Sequence, residues 1–208
     1  MTDPHTGEPT VLSRLSRAIC GIATGRGLLA SMALWFAAAA LIYGKPFGIA
    51  QLQEITGGAT ILDMTFTTSP QQVYAVLDAL GDAGRVFDLT HIVPLDLVFP
   101  FAYALFLSIA ISWALTRWLS KDSLWTRLNL IPVIAGIADY CENAGIITLL
   151  LTYPATLDPI AQFTSMMYVI KFAFSALSFI VLFAALAGWA VMILKGRRIR
   201  SPVAYKER

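Results

Sequence analysis

The chain has 208 residues, enough for one compact domain, and a formal net charge of only +2. Hydrophobic residues make up 57% of it and charged residues 13%, against about 25% charged residues in a usual soluble domain. With a mean hydropathy of +0.69, the chain has too little polar surface to cover a water-soluble globule. The composition therefore predicts an all-α polytopic membrane protein surrounded by membrane lipids, with no nucleic-acid partner.

The N-terminal segment, residues 1–27, is predicted to lie in the cytoplasm. Residues 1–10 are polar and contain two prolines, so we expect them to be disordered. From Val11 to Gly27 arginines stand among apolar residues, which is typical of a short amphipathic helix on a membrane surface. A cleaved signal peptide is the alternative, because basic residues precede a short apolar run. The membrane segments further along the chain favour a retained anchor.

Four apolar segments predict a four-transmembrane-helix bundle: residues 28–44, 92–116, 128–152 and 162–194. Pro94 and Pro100 predict kinks in the second segment, since each removes a backbone hydrogen bond. A stripe of small residues in the same segment, formed by Ala104, Ser108 and Ser112, favours close approach of another helix. The last apolar stretch, about 50 Å long as one helix, exceeds a hydrocarbon core of about 30 Å. We expect it to tilt, or to project on the side of the large loop.

The only sizeable extramembrane region is the loop of residues 45–91. Ser69 and Pro70 are a typical helix start, with a serine cap followed by proline at the first helical position. Apolar residues at helical spacing follow, up to Gly81 and Gly84, so we predict a short amphipathic helix in this loop. Residues 61–66 are compatible with an extended segment.

Basic residues are distributed unevenly over the two sides of the predicted bundle. The opposite side from the termini has only Lys45 and Arg85. The N-terminal segment, the connection after the second span and the C-terminal tail carry Arg14, Arg17, Arg26, Arg117, Lys121, Arg127, Lys195, Arg197, Arg198, Arg200, Lys206 and Arg208. Because short cytoplasmic loops are enriched in lysine and arginine, this asymmetry predicts cytoplasmic termini and a location in the plasma (inner) membrane.

Ionisable side chains at membrane depth are candidates for function, because each is costly in hydrocarbon and usually faces a protein interior. Asp139, Glu142 and Asn143 stand at i, i+3 and i+4 and share one face of the third helix. We expect these residues to converge on an outward-facing polar pocket among the second, third and fourth spans. The other residues predicted to bind a ligand there are Asp96, Lys171 and, near enough to contribute, Arg85.

The balance of charges limits the chemistry of this pocket. Three carboxylates face one lysine, and they cannot all be ionised and satisfied. Either one carboxylate is protonated, or a cation binds, or water reaches the site, which makes Asp139 and Glu142 candidates for catalytic proton transfer. The structural alternative is an ion pair of Lys171 with Glu142 that fixes helix register, with Asp96 lying among the headgroups.

Neither a cofactor nor a metal ion is expected from the sequence. His91 with Asp88 or Asp96 could contribute to a carboxylate-rich site, but a solvated interfacial histidine is the simpler interpretation. The cysteines, Cys20 and Cys141, lack metal-ligand or redox spacing. The sequence contains no glycine-rich phosphate loop and no HExxH zinc motif.

The central part of the chain carries a pattern of separate motifs: Gly84-Arg85-x-Phe87, then Asp96 and Pro100, then Ala138-Asp139-x-x-Glu142-Asn143. This order resembles that of small four-span bacterial membrane proteins of unknown function, with Phe87 in place of their tyrosine. The resemblance implies a four-helix architecture and importance of the motif residues. It implies no activity.

Three functions fit these observations. The favoured one is a protein whose outward pocket binds, and in one form transports, a small hydrophobic or cationic ligand; because four helices are few for a carrier, transport would require a homodimer. The second is an intramembrane enzyme acting on a lipid, with Glu142 or Asp139 as acid/base and Arg85 or Lys171 stabilising an anion. The third is a structural or accessory subunit whose charges pair with a partner membrane protein.

Overall fold

A computed structural model describes residues 10–121 and 123–199, with side chains to residue 195. Most of the predicted N-terminal tail and of the basic C-terminal tail therefore lies outside the described residues. Within the described ranges the chain is all-α and contains no strand. The helices are α1 (Val11–Ile22), α2 (Gly25–Tyr43), α3 (Ile49–Thr56), α4 (Pro70–Phe87), α5 (Val93–Asp96), α6 (Phe99–Leu115), α7 (Ile131–Thr152) and α8 (Asp158–Ile199).

Four helical segments are long and apolar enough to cross a membrane: Gly25–Tyr43, Pro70–Leu115, Leu124–Thr152 and Asp158–Lys195. They overlap the four predicted spans, so the predicted all-α polytopic fold is confirmed. Each of these helical segments begins before the predicted span that it overlaps. Polar capping residues add helical turns that an apolar run does not reveal. Thr24, for example, caps α2, and its hydroxyl accepts a hydrogen bond of 3.0 Å from the Gly27 amide.

The central helix of the bundle is α6, which packs against α2, α7 and α8. The predicted small-residue stripe of Ala104, Ser108 and Ser112 is buried. A methyl group on Gly136 of α7 would lie 3.3 Å from the Ala104 Cβ, so the two helices are in close contact there. The face of α8 directed away from the bundle exposes large apolar side chains, among them Val169, Ile180 and Phe183. Such a surface is suited to lipid rather than to water.

A second hydrophobic core lies at the end of the bundle where α7 and α8 meet. We call this region the cap; it consists of residues 44–92 together with the last turns of α7 and the first turns of α8. Its core is formed by Ile49, Leu52, Ile61, Leu62, Val73, Leu77, Leu80, Ile146, Leu149 and Ala161. Since α7 and α8 continue from the bundle into this core, the cap and the bundle share two helices.

The predicted amphipathic helix of the loop is α4. Its Ser69 hydroxyl accepts a hydrogen bond of 3.4 Å from the Gln72 amide, and Pro70 is the first helical residue. The predicted stop at Gly81 is a kink instead, with φ of 62° and ψ of 177°, a conformation that glycine adopts most readily. The helix resumes after the kink and runs into a π-helical turn at Asp88–Ile92.

Residues 61–66 are not an extended segment. They contain a 3₁₀ turn, Leu62–Met64, whose first residue is buried in the cap core. The helix α3, just before this region, was not predicted either. Both elements are too short to give a clear hydrophobic period.

The two prolines of the second span lie next to real interruptions. Pro94 is the second residue of α5 and Pro100 the second residue of α6, and the chain between these helices, Leu97–Val98, is a turn with helical dihedral angles. Proline is tolerated at such positions because the first amides of a helix have no partner within it. The break leaves Asp96 at the end of α5, facing α7.

The other end of the bundle gathers the N-terminal helix and the connection between α6 and α7. The Asn129 side-chain amide donates to the Ser16 carbonyl at 3.1 Å and to the Ser112 hydroxyl at 2.8 Å. The Trp118 indole donates to the Ala185 carbonyl of α8 at 3.1 Å. The predicted amphipathic helix is therefore present as α1 and packs on the bundle. Both cysteines are free thiols.

Candidate functional site

Lys171 of α8 lies at the centre of a group of acidic side chains. Its Nζ is 2.7 Å from Glu142 Oε2 and 3.7 Å from Asp139 Oδ1, both on α7, and it forms an ion pair with Asp63 of the 3₁₀ turn. The exposed fraction of the side chain is 13% for Lys171 and 1% for Glu142. The predicted convergence of Asp139, Glu142 and Lys171 is thus present in the structure. The ion pair between Lys171 and Asp63 joins the bundle to the cap.

Asp139 has a second partner on α6. The Tyr103 hydroxyl donates a hydrogen bond of 3.1 Å to Asp139 Oδ2, and both residues are buried. Asp139 Oδ1 has no hydrogen-bond donor among the described residues, and neither has Glu142 Oε1. Two carboxylates therefore each hold a buried oxygen whose hydrogen-bonding capacity is unused, which is costly in a protein interior.

Asp96 and Asn143 are also brought together. The Asn143 side-chain amide donates to the Asp96 backbone carbonyl at 3.2 Å, across α7 and α5. Asp96 is only 4% exposed, so the alternative in which its carboxylate lies among lipid headgroups is wrong. Asp96 lies at the end of α5, where its backbone carbonyl is held against α7 by this hydrogen bond.

The sequence analysis missed Asp63. This residue stands in a polar loop, and no periodicity connects it with the apolar segments. In the structure one carboxylate oxygen from each of Asp63, Asp96 and Asp139 lies within 4.8 Å of the others. We call these three residues the aspartate triad. The burial of Ile61 and Leu62 in the cap core fixes the 3₁₀ turn and hence the position of Asp63.

Arg85 does not join this group. Its guanidinium pairs with Asp82, donates to the Leu77 carbonyl at 2.6 Å, and lies 4.0 Å from the centre of the Tyr153 ring. In a regular helix the Leu77 carbonyl would accept from the residue four positions on, where the kink lies. The Tyr153 hydroxyl in turn donates to Asp78, a bond that raises the pKa of the tyrosine. Arg85 therefore stabilises the cap and does not line the pocket.

His91 also lies apart from the acidic group. Its ring stacks on Phe87, with the ring centres 4.4 Å apart, and on Phe47 at 6.2 Å. Its Nδ1 is 2.8 Å from the Thr90 hydroxyl. These contacts hold the imidazole ring between two aromatic side chains and a hydroxyl group.

A cavity of about 360 Å³ extends from the acidic group along the bundle between α2 and α8, with α6 as its floor. Its polar end is lined by Tyr43, Asp63, Tyr103, Asp139, Tyr168 and Lys171. Its apolar part is lined by Trp35, Met64, Phe99, Leu107, Phe172 and Phe179, with Ser175 between them. From Tyr168 to Phe179 the cavity follows α8 for about 16 Å, at 1.5 Å per residue.

The mouth of the cavity is formed by side chains that are open to the surroundings. Phe172 is 66% exposed, Tyr43 48% and Met64 47%. Asp139 borders the cavity from α7, whereas Glu142 lies behind Lys171 and does not line it. The arrangement offers an apolar groove whose polar end carries carboxyl groups beside Lys171.

No family model matches the chain, and comparisons with curated proteins and with solved structures find no match either. The class of the protein therefore rests on its fold and site. It is an all-α chain with four helices apolar enough to cross a membrane, a buried group of carboxylates held by one lysine, and an amphipathic cavity beside them.

Proposed function

We propose that the chain is a multi-pass protein of the plasma membrane, with cytoplasmic termini and an external cap. The end of the bundle with α1 and Trp118 carries the basic segments, and the Arg117 guanidinium lies 4.4 Å from the centre of the Trp113 ring. Aromatic and basic residues of this kind are typical of a cytoplasmic membrane boundary. The cap has only Lys45 and Arg85 as basic residues.

Within that setting, we propose that the cavity binds a small amphiphile with a cationic headgroup. The observation that carries this proposal is the polarity of the cavity, which changes from carboxylates at the cap end to aromatic and aliphatic side chains deeper in the bundle. An amphiphile oriented in the membrane has the same polarity. The volume of about 360 Å³ is near the lower end of the range of small-molecule sites, about 300–1,000 Å³, and suits a single chain better than a two-chain lipid.

The residues at the polar end of the cavity indicate the charge of the headgroup. Asp63 and Asp139 line the cavity and Asp96 and Glu142 lie directly behind them, against the single ammonium of Lys171. A cationic headgroup would reduce the excess of negative charge, whereas an anionic one would increase it. In a site shielded from water this difference is larger than in solution.

Thermal unfolding of the purified protein in nanodiscs tests the proposal. EGTA is present so that divalent cations do not bind to the carboxylates. A twelve-carbon alkylamine is expected to raise the unfolding midpoint, while the fatty acid and the alcohol of the same chain length raise it less or not at all. Asp139→Asn is expected to abolish the shift, and Asp158→Asn, at the exposed start of α8, is expected to keep it. Equal stabilisation by amine and fatty acid, or none by either, would overturn the proposal.

A second candidate function is an intramembrane enzyme acting on a lipid. It is favoured by Asp139, which borders the cavity with an oxygen free of hydrogen-bond donors and with the Tyr103 hydroxyl on its other oxygen. A carboxylate in that position could exchange a proton with a bound substrate. Incubation of the protein with a lipid extract, followed by mass spectrometry, would reveal turnover, and the turnover would have to disappear in Asp139→Asn.

A further inference from the structure

We propose that the aspartate triad of Asp63, Asp96 and Asp139 binds a divalent cation of the size of calcium. One oxygen from each carboxylate lies within 4.8 Å of the other two. Calcium binds oxygen at about 2.3–2.6 Å and so can bridge oxygens up to about twice that distance apart. Three oxygens no more than 4.8 Å apart leave a central ion at most about 2.8 Å from each of them, so calcium needs only a slight approach of the carboxylates. Magnesium binds oxygen at about 2.0–2.1 Å, so the three carboxylates would have to move closer together to bind it.

An independent observation supports a ligand at this place. A second cavity, of about 10 Å³, adjoins Asp63 and Asp96 of the triad, and Asp88 and Asn143 are its other polar lining residues beside four apolar side chains. A volume of about 10–15 Å³ is enough for one water molecule. Such a water molecule could be a further ligand of the bound ion. Asp88 is 3% exposed, and its carboxyl group has neither a hydrogen bond nor an ion pair with any described residue. Its presence here is costly unless a bound group satisfies it.

The excess of carboxyl groups over basic side chains supports a cation at the same site. Asp63, Asp88, Asp96, Asp139 and Glu142 bring five carboxyl groups together, and the described residues around them supply one ammonium, that of Lys171. Lys171 contacts Glu142 and one edge of the triad. A carboxylate has two oxygens, so Asp63 can hold the ammonium with one and a cation with the other. Asp88 and Asp96 form no ion pair with a basic side chain among the described residues.

The type of ligand atom favours a hard cation. The three donors are carboxylate oxygens, which calcium prefers, and neither histidine nor cysteine belongs to the aspartate triad. The three aspartates come from the 3₁₀ turn of the cap, from α5 and from α7. A bound ion would therefore connect the cap loop with two helices of the bundle.

This inference goes beyond the proposed amphiphile binding and does not rest on it, because its test contains no amphiphile. Full-length protein is treated with EGTA, and calcium or magnesium is added while thermal unfolding and isothermal titration are measured. Calcium is expected to bind with a stoichiometry of one and to raise the unfolding midpoint saturably, and magnesium is expected to be weaker. Absence of calcium binding to the wild-type protein would overturn the proposal.

Two variants and a control make the assignment specific. Loss of an outer-shell partner commonly weakens metal binding by about 10–100-fold, so Asp96→Asn, which loses a direct ligand, is expected to weaken calcium binding at least that much. Asp88→Asn keeps the triad and is expected to weaken binding less. Glu54→Gln, in an exposed pair with Lys45, is expected to have wild-type affinity. Wild-type calcium affinity in folded Asp96→Asn and Asp88→Asn, as judged by size-exclusion profile, would refute the site.

Discussion

Replacing Lys171 by methionine removes the one basic side chain that contacts the acidic group in the described part of the chain. The aliphatic length of the side chain is nearly retained, so little packing is lost. At an effective dielectric constant of about 20, unit charges at 2.7 and 3.7 Å attract each other by about 6 and about 4.5 kcal/mol. These are the gross attractions of Lys171 to Glu142 and Asp139.

Much of that attraction is offset by the free energy needed to remove the charges from water. The net effect of deleting one partner of a buried pair is a destabilisation of about 3–5 kcal/mol, and burial to 13% and 1% exposure leaves little screening here. For a chain of this size, 1 kcal/mol corresponds to about 2–4 °C in the unfolding midpoint. We therefore expect Lys171→Met to unfold on the order of 10 °C below the wild type.

The assay is thermal unfolding in one detergent, followed by tryptophan fluorescence, for the wild type, Lys171→Met, Glu142→Gln and the double variant. The double variant is expected to be more stable than the sum of the single effects predicts, by about 0.5–3 kcal/mol, because the two residues are in contact. Lys45→Met is the matched control: its pair with Glu54 is exposed, at 51% and 55%, and such pairs contribute about 0–1 kcal/mol.

Two results would refute this reasoning. One is a midpoint for Lys171→Met within about 2 °C of the wild type, since that is less than 1 kcal/mol. The other is strict additivity of the Lys171 and Glu142 substitutions, which would mean that the two side chains do not interact in the folded protein. A loss in Lys45→Met as large as that in Lys171→Met would point to a general effect of net charge.

Three further predictions concern packing, the cap and the cavity. Gly145→Ala places a methyl group against the Thr164 side chain and is expected to lower stability by about 1–3 kcal/mol, whereas Gly21→Ala, with open space around it, is expected to leave the midpoint unchanged or higher. Arg85→Gln removes a carbonyl hydrogen bond and a ring contact. It should destabilise the fold by about 1–2 kcal/mol without changing alkylamine or calcium binding; altered binding would contradict its position in the cap. Ser175→Trp fills the cavity and is expected to abolish the alkylamine shift while calcium binding, measured by titration, stays at the wild-type level.

The apolar segments, the helix caps and the contact between Lys171 and Glu142 could be predicted from the sequence because each depends on local pattern. Lipid requires runs of about 20 apolar residues, and Ser69 with Pro70 marks a helix start through its own chemistry. Glu142 and Lys171 are almost equally far in sequence from the turn at Leu157. Two antiparallel helices joined there bring them to the same height.

Asp63 and Arg85 were placed by tertiary contacts, and no local pattern indicates their positions. Asp63 reaches the acidic group only because its apolar neighbours are buried in the cap core. Arg85 is one residue of a helix that changes direction at Gly81, so its guanidinium contacts Tyr153 and Leu77 instead of the bundle. Its residue type makes Gly81 a predicted helix stop, whereas its positive φ within a continuing helix, and the direction of the chain after it, depend on tertiary contacts.

The two helices shared by the bundle and the cap bear on how the molecule comes apart. Ile146 and Leu149 of α7 and Ala161 of α8 belong to the cap core, while the same helices pack against α6 further along. Disordering the cap would remove side-chain contacts from α7 and α8, and disordering the bundle would remove the scaffold on which the cap is built. The two cores are therefore expected to melt in one cooperative transition, and residues 44–92 expressed alone are expected to remain unfolded.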